Sequence, residues 1–217
     1  MKKAFTLLEL VFVIVVIGII AATVIPRTNS NSLQEAAIQV VSHIRYTQHL
    51  AMIDDKFNKD DANWYKKRWQ IIFADYTHAN PNKNIVAYSI FSDESLSGKP
   101  DVSEMANDTL SIGDILSGGH SNLNSVSSSD LNSKLNLKET YGITSYDLTA
   151  GCNIYNNSRI SFDHLGRPLR GDLKTIDGAY FDSYNRIISQ RCDIILESPE
   201  GNITIAIEPE TGYTHIL

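Results

Sequence analysis

The sequence predicts an α+β protein, with helices first and an antiparallel β-sheet afterwards. Three observations carry that prediction. An apolar segment runs from Phe5 to Ile25, with Thr6, Glu9 and Thr23 its only clearly polar members. Leu33, Ala36, Ala37, Val40, Val41, Ile44 and Ala51 then recur at helical spacing. From Trp64 onward, short runs of aromatic and branched residues alternate with turn formers.

The first segment has the length of the about 20 apolar residues that cross a bilayer core. Lys2 and Lys3 precede it, and basic residues beside a first span stay on the cytoplasmic side. The expectation is a single pass through the inner membrane with residues 27–217 outside it. A cleaved secretory signal is a second reading, since Ala21-Ala22-Thr23 offers small residues after the apolar run. Glu9 argues against it, because a carboxylate in hydrocarbon costs roughly 2.5 to 3.5 kcal/mol unless it finds a partner. Glu9 either reaches back to the headgroups or meets a cation that arrives at the same depth. Pro26 ends or kinks a helix where it stands.

Ser32-Leu-Gln-Glu35 reads as a capping box that opens a second helix over about 32–55. Core packing is the default role of its apolar stripe. Arg68 to Tyr76 and Asn84 to Phe91 read as an antiparallel hairpin around the turn-forming stretch 77–83. Residues 93–135 are rich in Ser, Asn, Asp and Gly and read as an insertion or surface loop. Leu135 to Tyr141, Arg159 to Phe162, Cys192 to Glu197 and Asn202 to Ile207 read as strands, the last two joined by a turn at 198–201.

With 19 basic and 25 acidic residues the formal charge is −6, a balance that repels polyanions overall. Cys152 and Cys192 are the two cysteines. In an exported domain they are disulfide candidates, and the competing reading is two buried thiols too far apart to join.

Three constellations could carry chemistry. Asp54, Asp55, Asp60 and Asp61 supply oxygen ligands, but not at the spacing of a calcium loop. Beside Lys56 and Lys59 they read as a solvated helix end. Trp64-Tyr-Lys-Lys-Arg-Trp69 interleaves rings with cations, as single-stranded nucleic acid binding requires; on an acidic chain a strand with solvated lysines is the favoured reading. Asp114, Ser117 and His120 lie close in sequence, as do Asp163 and His164, but a catalytic triad is defined by spatial geometry. His43 and His49 miss the i, i+4 spacing of helical zinc motifs. No phosphate-binding loop is present in the sequence. The reading is of a non-enzyme with no catalytic residues, no metal site and no cofactor.

Lys2-Lys3-Ala4-Phe5-Thr6-Leu7-Leu8-Glu9 resembles the prepilin signature of type IV pilins and of the pseudopilins of type II secretion. The resemblance implies a prepilin peptidase cut between Ala4 and Phe5, with Phe5 N-methylated. The family usually has Gly where this chain has Ala4. It also implies that Glu9 pairs with the free amine of a neighbouring subunit's Phe5, and that Pro26 is the proline of a pilin stem. Residues 160–163 through Gly166, with Ile203 to Glu208, Thr211 and Gly212, are similar to the sheet of H-type minor pseudopilins, the GspH/FimT group.

The implied architecture is pilin-like: a long N-terminal helix, transmembrane then stem, packed on an antiparallel β-sheet. Its parts would be a leader 1–4, a transmembrane and polymerisation helix 5–25, a stem 26–56, and an exported β-rich domain 57–217 that carries the loop 93–135. Loss of the leader would leave 17 basic and 25 acidic residues, a charge of −8. The implied function is a structural subunit of a periplasmic pseudopilus filament in type II secretion. Partners would be the prepilin peptidase, other pilin or pseudopilin subunits, the inner-membrane assembly platform, and secreted cargo or an outer-membrane pore; nucleic acid is disfavoured. A minor pilin of a type IV pilus or competence system is the alternative within the family. A membrane-anchored periplasmic domain that never polymerises is the alternative outside it.

Overall fold

A computed structural model describes residues 6–24, 32–77, 84–109, 113–119, 131–154, 157–180 and 185–217. The chain divides into two compact units, Met1–Ser32 and Leu33–Leu217.

In the first unit, helix α1 spans Leu7–Val24. Thr6 caps it: its hydroxyl accepts from the Glu9 N–H at 3.3 Å, while its carbonyl accepts from the Glu9 and Leu10 N–H groups at 3.1 and 3.2 Å. Val24 is the last residue of the helix and of this described stretch. Pro26 itself lies outside the described residues.

Helix α2 spans Ser32–Ile53, lies in the second unit from Leu33 onward, and buries Ala36, Ala37, Val40, Val41, Ile44, Thr47 and Ala51. These positions recur every three or four residues and form one stripe. The first sheet follows the order β2 (Asn84–Ser92), β1 (Trp69–Thr77), β4 (Arg159–Phe162), β5 (Pro168–Arg170). The second follows β3 (Ser145–Leu148), β6 (Cys192–Ser198), β7 (Gly201–Ile207), β8 (Thr214–Ile216). All pairings are antiparallel. β1 and β2 pair along nine residues, from Trp69 opposite Ser92 to Thr77 opposite Asn84. One core joins the α2 stripe to Ile71, Phe73, Tyr88 and Phe162 of the first sheet and Ile194, Leu196, Ile205 and Ile207 of the second.

Two expectations are corrected here. Among the described residues there is no long N-terminal helix packed on a sheet. The helices are Leu7–Val24, Ser32–Ile53 and a third of five residues, and the β-structure is two four-stranded sheets rather than one. The architecture is mixed α and β, with α1 and α2 in separate units. The pilin-like architecture was carried by the apolar segment and the resemblance, and neither reports how the strands divide into sheets. The single-pass inner-membrane placement also falls: among the described residues no helix is long and apolar enough to cross a membrane. The 18 residues of α1 extend about 27 Å at 1.5 Å per residue, short of the about 30 Å hydrocarbon core.

Local differences have local causes. Leu135 to Tyr141, expected as a strand, is a 3-10 turn followed by helix α3, Leu137–Tyr141. The Asn136 side chain accepts from the Glu139 N–H at 3.2 Å, and Gly142 closes the helix at φ +72°. Trp64–Lys67 is a 3-10 turn leading into β1. The Ser/Asn/Gly-rich stretch lies, in its described parts, along the outer side of β2. Isolated bridges join Ser89 to Ser117, Phe91 to Met105 and Ala87 to Asn136, and Ala106, Leu116 and Leu135 are buried. A side chain at Gly118 would collide with the Leu135 carbonyl, so glycine is required there.

The outer side of β8 is covered differently. Tyr213 and Leu217 direct main-chain groups toward β7, and strand alternation places those of Thr214 and Ile216 on the outside. The Arg45 guanidinium of α2 donates twice to the Thr214 carbonyl, at 3.1 and 2.6 Å, and lies 5.7 Å from the Tyr213 ring centre. Gln48, one turn on, donates to the Gly166 and Thr211 carbonyls at 2.8 and 2.9 Å.

Candidate functional site

The candidate site of the first unit is the surface of α1. Residues 6–20 are all exposed, including Leu7 and Leu8 at 82 % and Phe12 at 70 %. The apolar side chains are spread around the helix without a polar face, and Glu9 is the helix's one carboxylate. Phe5 and Ala4, the processing positions, lie outside the described residues.

The structure adds a role for Glu9 that the sequence reading passed over. Thr6 is the N-cap and Glu9 the third helical residue, so Thr6-Leu-Leu-Glu9 has the pattern of a capping box. The signal was present in the sequence, in the same form used for Ser32-Leu-Gln-Glu35. A carboxylate in the first turn also faces the positive end of the helix dipole.

In the second unit Cys152 and Cys192 form a disulfide, with Cα atoms 4.9 Å apart and both residues fully buried. The bond sits just beyond the β3–β6 pairing. There Thr149 N–H donates to the Asp193 carbonyl and the Thr149 hydroxyl accepts from Asp193 N–H, both at 3.0 Å. Gly151 passes so near the Arg191 carbonyl that any side chain would collide with it.

A buried charge cluster was not foreseen. Arg159 of β4 is 2 % exposed and donates to Gln70 Oε1 at 3.2 Å, Asp172 Oδ1 at 3.1 Å and the Gly98 carbonyl at 2.6 Å. Its guanidinium lies 5.5 Å from the Phe91 ring centre. Asp93, 1 % exposed, accepts from the Gly98 N–H at 3.0 Å. Burial drives the Asp93 carboxyl above the usual aspartate range, against the Gly98 N–H that favours its charged form. Burial likewise lowers the Arg159 pKa, opposed by the Asp172 and Asp93 carboxylates. The cluster ties the segment after β2 to β1, β4 and the residues after β5. Gln70, Gly98, Arg159 and Asp172 are well separated in the chain, so only the fold brings them together.

The other constellations are now placed. Lys56 pairs with Asp54 at 2.6 Å and Glu94 at 3.0 Å, and Lys67 with Asp61 at 2.8 Å and Glu94 at 3.5 Å. Burial raises the Asp54 pKa, but hydrogen bonds from Lys56 and Trp69 outweigh it and hold Asp54 below its usual value. Arg68 is buried 5.3 Å from the Trp64 ring centre. The rings and cations of 64–69 are thus folded against one another and against carboxylates. Among the described residues no three His, Cys, Asp or Glu side chains are grouped to hold a metal ion. Ser117 shares a 2.7 Å hydrogen bond with buried Ser89, and His120 lies outside the described residues. Asp163 organises its own turn, accepting from the Leu165 and Arg167 N–H groups and from Arg167 Nε at 2.7 Å.

No family model matches the chain, and neither a curated protein nor a solved structure matches it.

Proposed function

We propose that the chain is a pilin-like filament subunit, of the minor pseudopilin type that serves protein secretion. The observation that carries this reading is α1: an 18-residue helix whose apolar side chains from Leu7 to Ile20 are exposed on every side, with one carboxylate in its first turn. A helix that is apolar all round is covered when it works, and copies of the same helix packed side by side would cover it. Glu9 then meets the amine of a neighbour's Phe5, freed by cleavage after Ala4. The lysines at 56 and 67 already face their own carboxylates, which supports a filament role over nucleic acid capture.

The test begins with the mass and N-terminal sequence of the protein from cells with and without their prepilin peptidase. A chain that starts at methylated Phe5, and at Met1 when the peptidase is missing, is the expected result. A start elsewhere, or at Met1 in both strains, rejects the reading.

Glu9 itself separates capping from charge pairing. Glu9→Gln keeps a capping box, which accepts Gln as well as Glu, but removes the charge. It is expected to lower incorporation into filaments at least about a hundredfold, because breaking a desolvated pair costs about 3 kcal/mol or more. Wild-type incorporation by Glu9→Gln would leave capping as the function of Glu9.

A further inference from the structure

A notch of about 330 Å³ opens in the second unit, lined by Arg167, Arg170, Asn185, Ile187, Ser189 and Glu210. It lies at the lower end of the roughly 300 to 1,000 Å³ of small-molecule sites. Its walls are brought together by backbone pairing. Ile187 bridges Leu169 of β5, Ile188 N–H donates to the Pro168 carbonyl at 2.9 Å, and Glu210 N–H donates to the Ile188 carbonyl at 3.2 Å.

Arg167 is fixed and its charge answered, since its Nε donates to Oδ2 of buried Asp163 at 2.7 Å. Arg170 differs. Among the described residues its guanidinium makes one long hydrogen bond, to the Ala150 carbonyl at 3.4 Å, and its buried Nε has no partner. Glu210 lines the same notch, yet among the described residues it makes no ion pair with either arginine within 4.0 Å. Opposite charges thus face one cavity without meeting. Glu210 also holds φ +59°, in the left-handed region, which costs an L-residue other than Gly about 1 to 2 kcal/mol. Such strain in a residue whose carboxylate has no ion-pair partner among the described residues points toward function.

We propose that this notch binds a zwitterion of the α-amino acid type, its carboxylate on Arg170 and its ammonium on Glu210. A planar guanidinium matches a carboxylate with paired donors. Ile187 supplies an apolar wall for an aliphatic side chain, and the Asn185 and Ser189 side chains supply polar atoms at the rim. The same chemistry could be presented by a free amino acid or by a short peptide whose two ends both reach the notch.

The test titrates the full chain, kept monomeric in non-ionic detergent, with L-leucine, L-leucine amide, N-acetyl-L-leucine and the dipeptide leucyl-leucine, followed by calorimetry. Saturable L-leucine binding that weakens about tenfold or more on blocking either end is expected, from the loss of one charged hydrogen-bonded contact. Tighter binding of the dipeptide, with the same losses on blocking, would identify a peptide as the source. Arg170→Leu should erase the preference for L-leucine over its amide, and Glu210→Gln the preference over the N-acetyl form. Arg170→Lys, which keeps the charge, should retain part of the first preference. Thermal melts establish that each variant is folded. Absence of saturable binding by both L-leucine and the dipeptide overturns the proposal, as does binding indifferent to the blocked ends.

Discussion

Arg159→Ala is expected to destabilise the second unit by about 3 to 5 kcal/mol, the cost of breaking a buried charge cluster from one side. The substitution leaves Asp93 desolvated without the nearby guanidinium charge, and takes the guanidinium donor from the Gly98 carbonyl and from Asp172, which keeps the Lys174 N–H. It also removes the guanidinium from the Phe91 ring. Arg191→Ala is the control: Arg191 pairs with Asp193 at 2.8 Å but at the surface, where single pairs contribute little. Urea unfolding should show the Arg159 variant with a much lower midpoint and the Arg191 variant with no resolvable change. Equal midpoints would remove Arg159 from the structural core.

Asp93 adds a pH dependence whose sign is fixed. Its folded-state pKa is raised by burial, so its contribution to stability is present below the ordinary aspartate pKa of 3.8 and lost as pH rises through the folded value. Asp54 and Glu94, held below their ordinary values by Lys56, act in the opposite sense and lose their contribution as pH falls. Asp93→Asn should therefore gain stability over wild type as pH climbs from below 3.8 toward neutrality. A stability difference that is flat across that window would contradict the assignment.

Replacing both cysteines, Cys152→Ala with Cys192→Ala, is expected to lower stability by about 4 kcal/mol on the chain-entropy account. The bridge joins residues 40 apart in sequence, and the stabilisation comes mostly from what it forbids in the unfolded chain. Both sulfurs are buried, so reductant should act on the wild type only at the rate at which the region opens. Reduction after unfolding should reproduce the stability of the double variant. An unchanged unfolding midpoint would show that the unfolded chain gains no freedom when the bridge is lost.

What the sequence made legible was local. The α2 stripe from Ala36 to Ala51 and the hairpin of β1 and β2 were readable because burial follows a period of 3.6 or an alternation of two. Three short strands were missed: β3, β5 and β8. Each has only three or four residues. Leu135 to Tyr141 was misread because its apolar residues outweighed Asn136 and Gly142, the two residues that cap a helix there. The stretch after β2 carried no periodic signal, since it is held by isolated bridges, by the Arg159 cluster and by apolar residues that are buried in adjacent pairs, Met105 with Ala106 and Ile115 with Leu116, instead of at a regular spacing. The site residues of the N-terminus came from a contiguous motif. Arg170 and Glu210 are forty residues apart in the chain, and only the pairing of the 185–189 segment with β5 and the β7–β8 turn puts them on one notch.

Arg45 closes one main-chain acceptor on the outer edge of β8. An unoccupied edge carbonyl invites another chain to extend the sheet, and at Thr214 that invitation has been withdrawn by a side chain of the same molecule. Crowded copies cannot fuse through β8 into a continuous ribbon without first prising the guanidinium away. At Thr214, therefore, a contact with another molecule is left to side chains and not to the main-chain carbonyl.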